Sequence, residues 1–428
     1  MDAYKAKWIL TASEGDYKPV YENYALIVDD GKITDIIPQD DVYDEIYETV
    51  EDFGNSIITP GFINLDANLH YKSPTGCKNF FTKIKQFFAM LGTPINNYAM
   101  KLADIEAEKL SLNSQQKLES FKENLKNELC SGTTCLVQTV KADKTGKIFF
   151  EVLNKIPIKT FLSLEIWADS PLKSNRAFRK IKKAYNLFKK EKTDSTYFCL
   201  NPKSIWQVHK KLWRFLGKFS KRNNLLMFCE LLESQEELNF LNGEFSYLEY
   251  YNKFLGNKKI PYESGKSVVE YLNDLKVLKD NLIIANGNFL NSKELEVLAE
   301  NGVNMVFSPT INRKVFNKCL SNETILRNFS KKFAIMTRET SNSVLEELLS
   351  LKLSIPFEEQ IKYITLYPAK MLKTENITGS LDYNKHADFN VFKLEKKQKL
   401  ITDLQYIKKP YAIYILCRLV VKDGEISV

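Results

Sequence analysis

Ile57-Ile58-Thr59-Pro60-Gly61-Phe62-Ile63-Asn64-Leu65-Asp66-Ala67-Asn68-Leu69-His70 is the stretch whose reading decides the fold. Pro60-Gly61 is a turn signal, and a short apolar run after it ends in polar groups. Side chains on a strand alternate between its two faces. Asp66, Asn68 and His70 are therefore expected on one face, and Leu65, Ala67 and Leu69 on the other. Three polar groups at a strand end make a candidate site. A strand running out into a solvated loop gives the same pattern.

Working outward, apolar strand-like runs alternate with helical patterns. Strands are expected at 61–68, 133–140, 160–167, 197–200, 225–232, 281–286, 303–307 and 333–337, with helical patterns such as 104–129 and 343–353 between them. Eight such β/α units in about 300 residues predict a TIM barrel. Both chain ends read differently. "YALIVDDGKITDII" alternates and turns at Asp30-Gly31, and the C-terminal stretch turns at Asp423-Gly424, both hairpin signals. An insertion is expected around 239–267, rich in Asn, Gly, Glu and Tyr.

The motifs that follow resemble the amidohydrolase superfamily, in its aminofutalosine deaminase and chlorohydrolase branch. "ITPGFINLDANLH" is similar to that family's first barrel strand, P-G-F-[IV]-[ND]-x-H-x-H. "ITLYPAKMLK" and "ITGSLDYNKHADFNVFKL" resemble its C-terminal motifs. The resemblance implies an α/β fold: a (β/α)8 TIM barrel at 59–376, with a small β-sandwich built from both chain ends, 1–58 and 377–428. It also implies where a metal site would lie. Asp66 and Asn68 stand at the two metal-binding His of strand 1. Glu230 stands at the metal-binding His of strand 5, Asn286 at the catalytic His of strand 6, and Arg338 at the metal-binding Asp of strand 8. Glu233 matches the proton-shuttling Glu of the deaminase relatives. Glu165, Leu200, Ser234, Asn312 and Glu339 fall on the substrate side of the implied pocket.

Only three His occur in the chain, His70, His209 and His386. They cannot reproduce the family's set of several metal-binding His plus a catalytic one. A catalytic zinc or iron needs convergent, deprotonated ligands. Asn68 is a weak ligand, and Arg338 sets a permanent cation where an anion should face the metal. The expectation is therefore a barrel with no cofactor, in which Arg338 pairs with Asp66 and Glu230 across the mouth. Such a chain would be a pseudoenzyme with a binding, adaptor or regulatory role. The alternative is a hydrolase acting on non-peptide C–N bonds, such as a deaminase. It would use Glu233 as its acid/base group and one divalent zinc or iron relocated to Asp66, His70 and Glu230.

Bulk composition bounds the rest. The chain has 428 residues and 44% hydrophobic content, enough for a substantial core. No apolar run reaches the about 18 residues of a membrane span. Seven Cys with no C-x-x-C, and no signal-peptide pattern at the N-terminus, fit a reducing, cytoplasmic setting. The net charge is +8, yet residues 173–222 hold sixteen Lys/Arg against Glu191 and Asp194. Within them, Phe178, Ile181, Tyr185 and Phe188 recur at helical spacing, so an amphipathic helix with a basic outer face is expected. That region is a candidate surface for an anionic partner. A protein partner or a small ligand is expected but not identified, and the resemblance is compatible with a homodimer.

Overall fold

The computed structural model describes residues 1–69, 112–254, 265–338, 340, 342–394 and 409–426. Two sheets organise them. The first takes strands from both ends of the chain: β1 (Asp2–Leu10), β2 (Val20–Asp29), β3 (Lys32–Pro38), β4 (Thr49–Asp52) and β5 (Ser56–Pro60), then β14 (Phe389–Lys393), β15 (Ala412–Ile415), β16 (Arg418–Lys422) and β17 (Glu425–Ile426). Its order is β17-β16-β15-β14-β5-β1-β2-β3, with β4 beside β1. The antiparallel hairpins β2–β3 and β16–β17 turn at Asp30-Gly31 and Asp423-Gly424, and all four turn residues have positive φ. Positive φ in a two-residue loop matches the twist of the flanking strands, which is why Asp-Gly serves there.

The second sheet is the barrel. Its strands are β6 (Phe62–Asn64), β7 (Thr133–Val140), β8 (Lys159–Ile166), β9 (Thr196–Pro202), β10 (Met227–Leu231), β11 (Leu282–Asn286), β12 (Asn304–Phe307) and β13 (Phe333–Ile335). They run in sequence order, each parallel to the next. Most residues of these strands are buried, as in a sheet covered on both faces, and the buried set includes polar side chains such as Thr133, Thr134, Gln138, Thr160 and Ser163. Alternate residues separate into two packing clusters. Ile63, Cys135, Val137, Phe161, Cys199, Phe228, Ile283, Val306 and Ala334 fill the barrel interior. Leu136, Leu162, Leu200, Met227, Ile284 and Phe307 pack outward with the helical layer.

β6 and β13 stand at the two ends of this sheet, and side chains close the seam between them. Asn64 donates through Nδ2 to Thr337 Oγ1 at 2.8 Å, and its Oδ1 accepts from Thr337 N at 3.2 Å. One residue further on, Arg338 N donates to Asp66 O at 2.8 Å. Gly61 lets the chain pass from β5 into β6, since a Cβ there would overlap the Thr134 side chain on β7. The foot of the barrel is pinned to the first sheet by the buried pair Lys159–Asp388.

Around the barrel lie α1 (Ser114–Cys130), α2 (Lys144–Leu153), α3 (Pro171–Glu191), α4 (Lys210–Asn223) and α5 (Gln235–Asn242), with further short helices after each later strand. Part of the stretch expected as an insertion is helical: it holds the end of α5 and a helix at Leu248–Phe254, while 255–264 lie outside the described residues. No described helix is long and apolar enough to cross a membrane. Six described Cys are all free.

Candidate functional site

The C-terminal ends of the barrel strands carry a charged cluster, and strand alternation explains who joins it. Phe228 faces the interior, so Glu230, two residues on, faces the mouth. Phe161 does the same for Glu165 and Cys199 for Asn201, while Arg338 lies three residues beyond the end of β13. Backbone turns bring in the rest. Leu232, Asn286 and Arg338 all have left-handed φ, at 43°, 67° and 55°. Asn286 would otherwise follow Ile284 outward. Its positive φ turns it toward Glu233. Such conformations cost about 1–2 kcal/mol for a residue other than Gly, and they cluster here.

Arg338 is the centre. Its Nη1 donates to Glu233 Oε1 at 2.7 Å and its Nη2 to Glu230 Oε1 at 2.9 Å. Its Nε lies 3.9 Å from Asp66 Oδ2. Lys203 Nζ also reaches Glu230 Oε1, at 3.0 Å. Asn286 Nδ2 donates to Glu233 Oε1 at 2.6 Å, and its own Oδ1 accepts from Ser308 N at 3.4 Å. Asn288 Nδ2 holds Glu233 O at 3.1 Å. Charge-assisted bonds of this kind are the short, strong ones.

Glu233 is 1% exposed. Burial pushes its carboxyl up, to about 7; Arg338 pulls the other way and Glu230 adds to the rise. Glu237, one turn into α5, is buried as well. Burial first, and then the neighbouring Glu233 charge, push it up to about 8. Its Oε2 accepts from Glu233 N at 2.9 Å. Beneath the cluster, buried Glu128 on α1 accepts from Asn64 Nδ2 at 3.0 Å and from Thr133 Oγ1 at 2.8 Å, and burial raises its carboxyl too.

Several sequence expectations need correction. β6 ends at Asn64, two residues before Asp66, and Asn68 takes a left-handed φ of 41°. Asp66 and Asn68 therefore do not share a strand face. Asp66 reaches the cluster from the loop, and Asn68 is buried. Arg338 forks between Glu230 and Glu233, with Asp66 the more distant carboxylate. Leu200 alternates with inward-facing Cys199 and packs with the outer core, away from the mouth. Ser234 is spent as a helix cap: its Oγ accepts from Glu237 N at 3.1 Å. Asn312 is buried in a short helix after β12, where its Nδ2 lies 3.9 Å from Cys319 Sγ, and it makes no described bond to the cluster. Glu165 lies 3.9 Å from Lys141 Nζ on the neighbouring strand end. His70 and Glu339 lie outside the described residues. His209 caps α4, its Nδ1 accepting from Lys211 N, and His386 bridges to Lys32 at the first sheet.

Sequence reasoning missed Lys203, Glu237 and Glu128. Lys203 follows Pro202 directly at the end of β9, a position that could have drawn notice. Ser234-Gln235-Glu236-Glu237 has the S-x-x-E form of a helix start, which marks both Ser234 and Glu237 as capping residues.

Whether these residues fit a catalytic metal follows from their chemistry. The carboxylates nearest the centre, Glu230 and Glu233, are already held by a guanidinium. Among the described residues no group of three or more His, Cys, Asp or Glu side chains is arranged to hold a metal ion. The described donor set does not fit a catalytic zinc or iron.

Comparisons with known proteins agree on the scaffold. The chain is 22% identical over 312 residues to the 5-methylthioadenosine/S-adenosylhomocysteine deaminase of Thermococcus kodakarensis. The match covers 72% of this chain and 65% of that protein, so it spans just under two thirds of the relative's length. Among solved structures, Helicobacter pylori aminofutalosine deaminase superposes with a TM-score of 0.77 at 17% identity, covering 98% of this chain and 100% of that one. An adenosine deaminase from Xanthomonas campestris with bound zinc gives 0.73 at 15% identity, over 99% and 94% of the two chains. The atrazine chlorohydrolase of Arthrobacter aurescens, complexed with zinc, gives 0.75 at 13% identity, over 100% and 97%. At these identities the likeness is one of fold. The model of the Amidohydrolase family matches residues 57–426, which takes in the barrel and the C-terminal strands, and the chain belongs to that family.

Proposed function

We propose that the barrel mouth is a binding site organised by the Arg338 cation in place of a catalytic metal, and that the chain is a non-catalytic member of its family with a binding, adaptor or regulatory role. The observation that carries this is the fork of Arg338 onto Glu233 and Glu230 at 2.7 and 2.9 Å. A guanidinium stays charged at any pH the protein meets. A divalent ion brought against the same carboxylates would be repelled by it and would have to displace it. Metal analysis of protein purified without chelator tests the reading. The expected result is far less than one equivalent of zinc, iron or manganese. One equivalent, retained through gel filtration, overturns it.

A second reading has its own support in family membership and in Glu233. The deaminase relatives and neighbours favour a hydrolase acting on non-peptide C–N bonds. A carboxyl pushed up to about 7 is partly protonated near neutral pH, as suits a general acid–base group. In this reading Asp66, His70 and Glu230 would hold zinc or iron, which would supply an activated water when bound. Turnover of an aminopurine, pterin or triazine with added zinc or iron, abolished by Glu233→Gln, would establish it. No turnover with any of them removes it.

A further inference from the structure

Cations dominate the outer face of α3 and α4. Their rings turn toward each other: Phe178 stacks on Phe215 at 4.9 Å and meets Phe219 at 5.6 Å, and Tyr185 meets Phe219 at 5.4 Å. Leu172, Arg176, Lys180, Lys183, Leu187 and Lys190 are exposed, and at 100° per residue they fall within one stripe roughly 80° wide. Lys173, Arg179, Lys182 and Lys189 are exposed on either side of it. Arg214, Lys218, Lys221 and Arg222 extend the exposed basic surface on α4. Of the exposed cations on the two helices, only Lys173 has a carboxylate partner among the described residues, Asp169 at 2.8 Å.

The first sheet carries the opposite charge. Residues 29–52 hold ten Asp/Glu against one Lys. Their densest part is a ridge at 40–48, made of the turns Gln39–Asp41 and Asp44–Ile46. Asp40, Asp41, Asp44, Glu45 and Glu48 are exposed there, with Tyr43 59% and Ile46 57% exposed among them. The ridge is held firmly. Val42 packs with Ala3, Ala25 and Ile27, and Gln39 Nε2 donates to Ala6 O at 2.8 Å. Among the described residues no ion pair joins this ridge to α3 or α4.

We propose that the α3–α4 face docks a second copy of this chain through that copy's acidic ridge at 40–48. The two surfaces are complementary in charge, and each sets two exposed apolar side chains among its charges. Complementary potentials of this kind steer two surfaces together and fix their register. Other polyanions fit less well. A surface that holds single-stranded nucleic acid offers rings for bases to stack on, and here the rings face inward. A helix lying on lipid turns its apolar face outward, and here that face is packed on α4.

The test is the molar mass of the full chain by light scattering as salt is varied, followed by charge reversal. Wild-type protein should self-associate at low ionic strength and dissociate as salt shortens the screening length. Arg176→Glu/Lys180→Glu/Lys183→Glu and Asp40→Lys/Asp41→Lys/Glu45→Lys should each weaken self-association, on the order of a hundredfold in Kd. Both variants change exposed side chains only, so their urea midpoints should stay near wild type. An equimolar mixture of the two should associate again, because each reversed face then meets its reversed counterpart. A wild-type mass of one chain at low salt overturns the proposal, as does self-association that neither variant weakens. A mixture that stays dissociated overturns it too. If the basic-face variant loses binding to RNA or to anionic vesicles while self-association is unchanged, the face serves a different occupant.

Discussion

The two ends of the barrel handle buried charge in opposite ways. At the foot, one cation meets one carboxylate. Lys159 and Asp388 are 3% and 1% exposed. Asp388 Oδ2 also accepts from Thr378 Oγ1 at 3.1 Å, and its Oδ1 accepts from Leu416 N at 3.1 Å. Both carboxylate oxygens are used, by three different segments, and the charges cancel. At the mouth, one guanidinium and one ammonium face Asp66, Glu230 and Glu233, and a fourth carboxyl, Glu237, stands behind them. Burial there pushes Glu233 and Glu237 toward neutral pH. The foot is a finished joint between two sheets. The mouth is an acid-rich cluster that a proton or a ligand can still complete, and this difference is what favours it as the candidate site.

The foot should therefore be the less forgiving place to remove a cation. Lys159→Met leaves Asp388 buried without its counter-charge. Breaking one side of a buried pair costs about 3–5 kcal/mol, read as a lower urea midpoint. Replacing both partners, Lys159→Met/Asp388→Asn, should recover a good part of that loss. If the single variant costs under about 1 kcal/mol, the foot is not the closed joint described here.

Arg338→Met removes the cation from the mouth, and Glu233 has a way out that Asp388 lacks: it can take up a proton. The expected loss is about 2–3 kcal/mol near neutral pH, smaller than at the foot, and it should shrink further in mild acid. Equal losses at acid and alkaline pH would mean that Glu233 does not relieve the cluster.

That contrast also shows what could be read from the sequence. The barrel was legible because short runs rich in β-branched and apolar residues alternate with helical patterns along the chain. Thr133–Val140 is strand in the structure over the residues expected from sequence. Glu230 was legible because it continues the inward-facing column of its own strand, and Arg338 because the motif placed it at the end of the last strand. Asp66 and Asn68 were misread because β6 stops early, and where a strand ends depends on backbone angles that composition does not reveal. Leu200 was misplaced by motif matching, although Cys199 beside it already fills the inward position. Lys203 and Glu237 were hidden for another reason. Lysine and glutamate are common in this chain, and only folding shows which of them meet.

The pH profile sharpens the comparison further. Glu233 and Glu237 are raised above their ordinary value near 4.5, to about 7 and about 8. Between 4.5 and those values the folded chain keeps protons that the unfolded chain has released. Stability should therefore be highest in mild acid, fall as pH rises through that window, and level off above about pH 8. Between about pH 6 and pH 8, Glu233→Gln should flatten the fall by about 1 kcal/mol and Glu237→Gln by about 2 kcal/mol. The urea midpoint across that range is the measurement. A profile that rises with pH would contradict the assigned directions.

The smallest effect tests the border between structure and site. Ser234 follows Glu233 directly, and its hydroxyl accepts the bond from Glu237 N that starts α5. If it serves the helix, its substitutions should follow the rule for caps. Ser234→Ala should cost about 1 kcal/mol and Ser234→Gly less, because Gly tolerates the non-helical cap backbone. A residue that packs or contacts a ligand gives the reverse order, with Gly at least as damaging as Ala. The order of the two urea midpoints therefore decides whether the site begins at Glu233 or one residue later, and the capping bond favours Glu233.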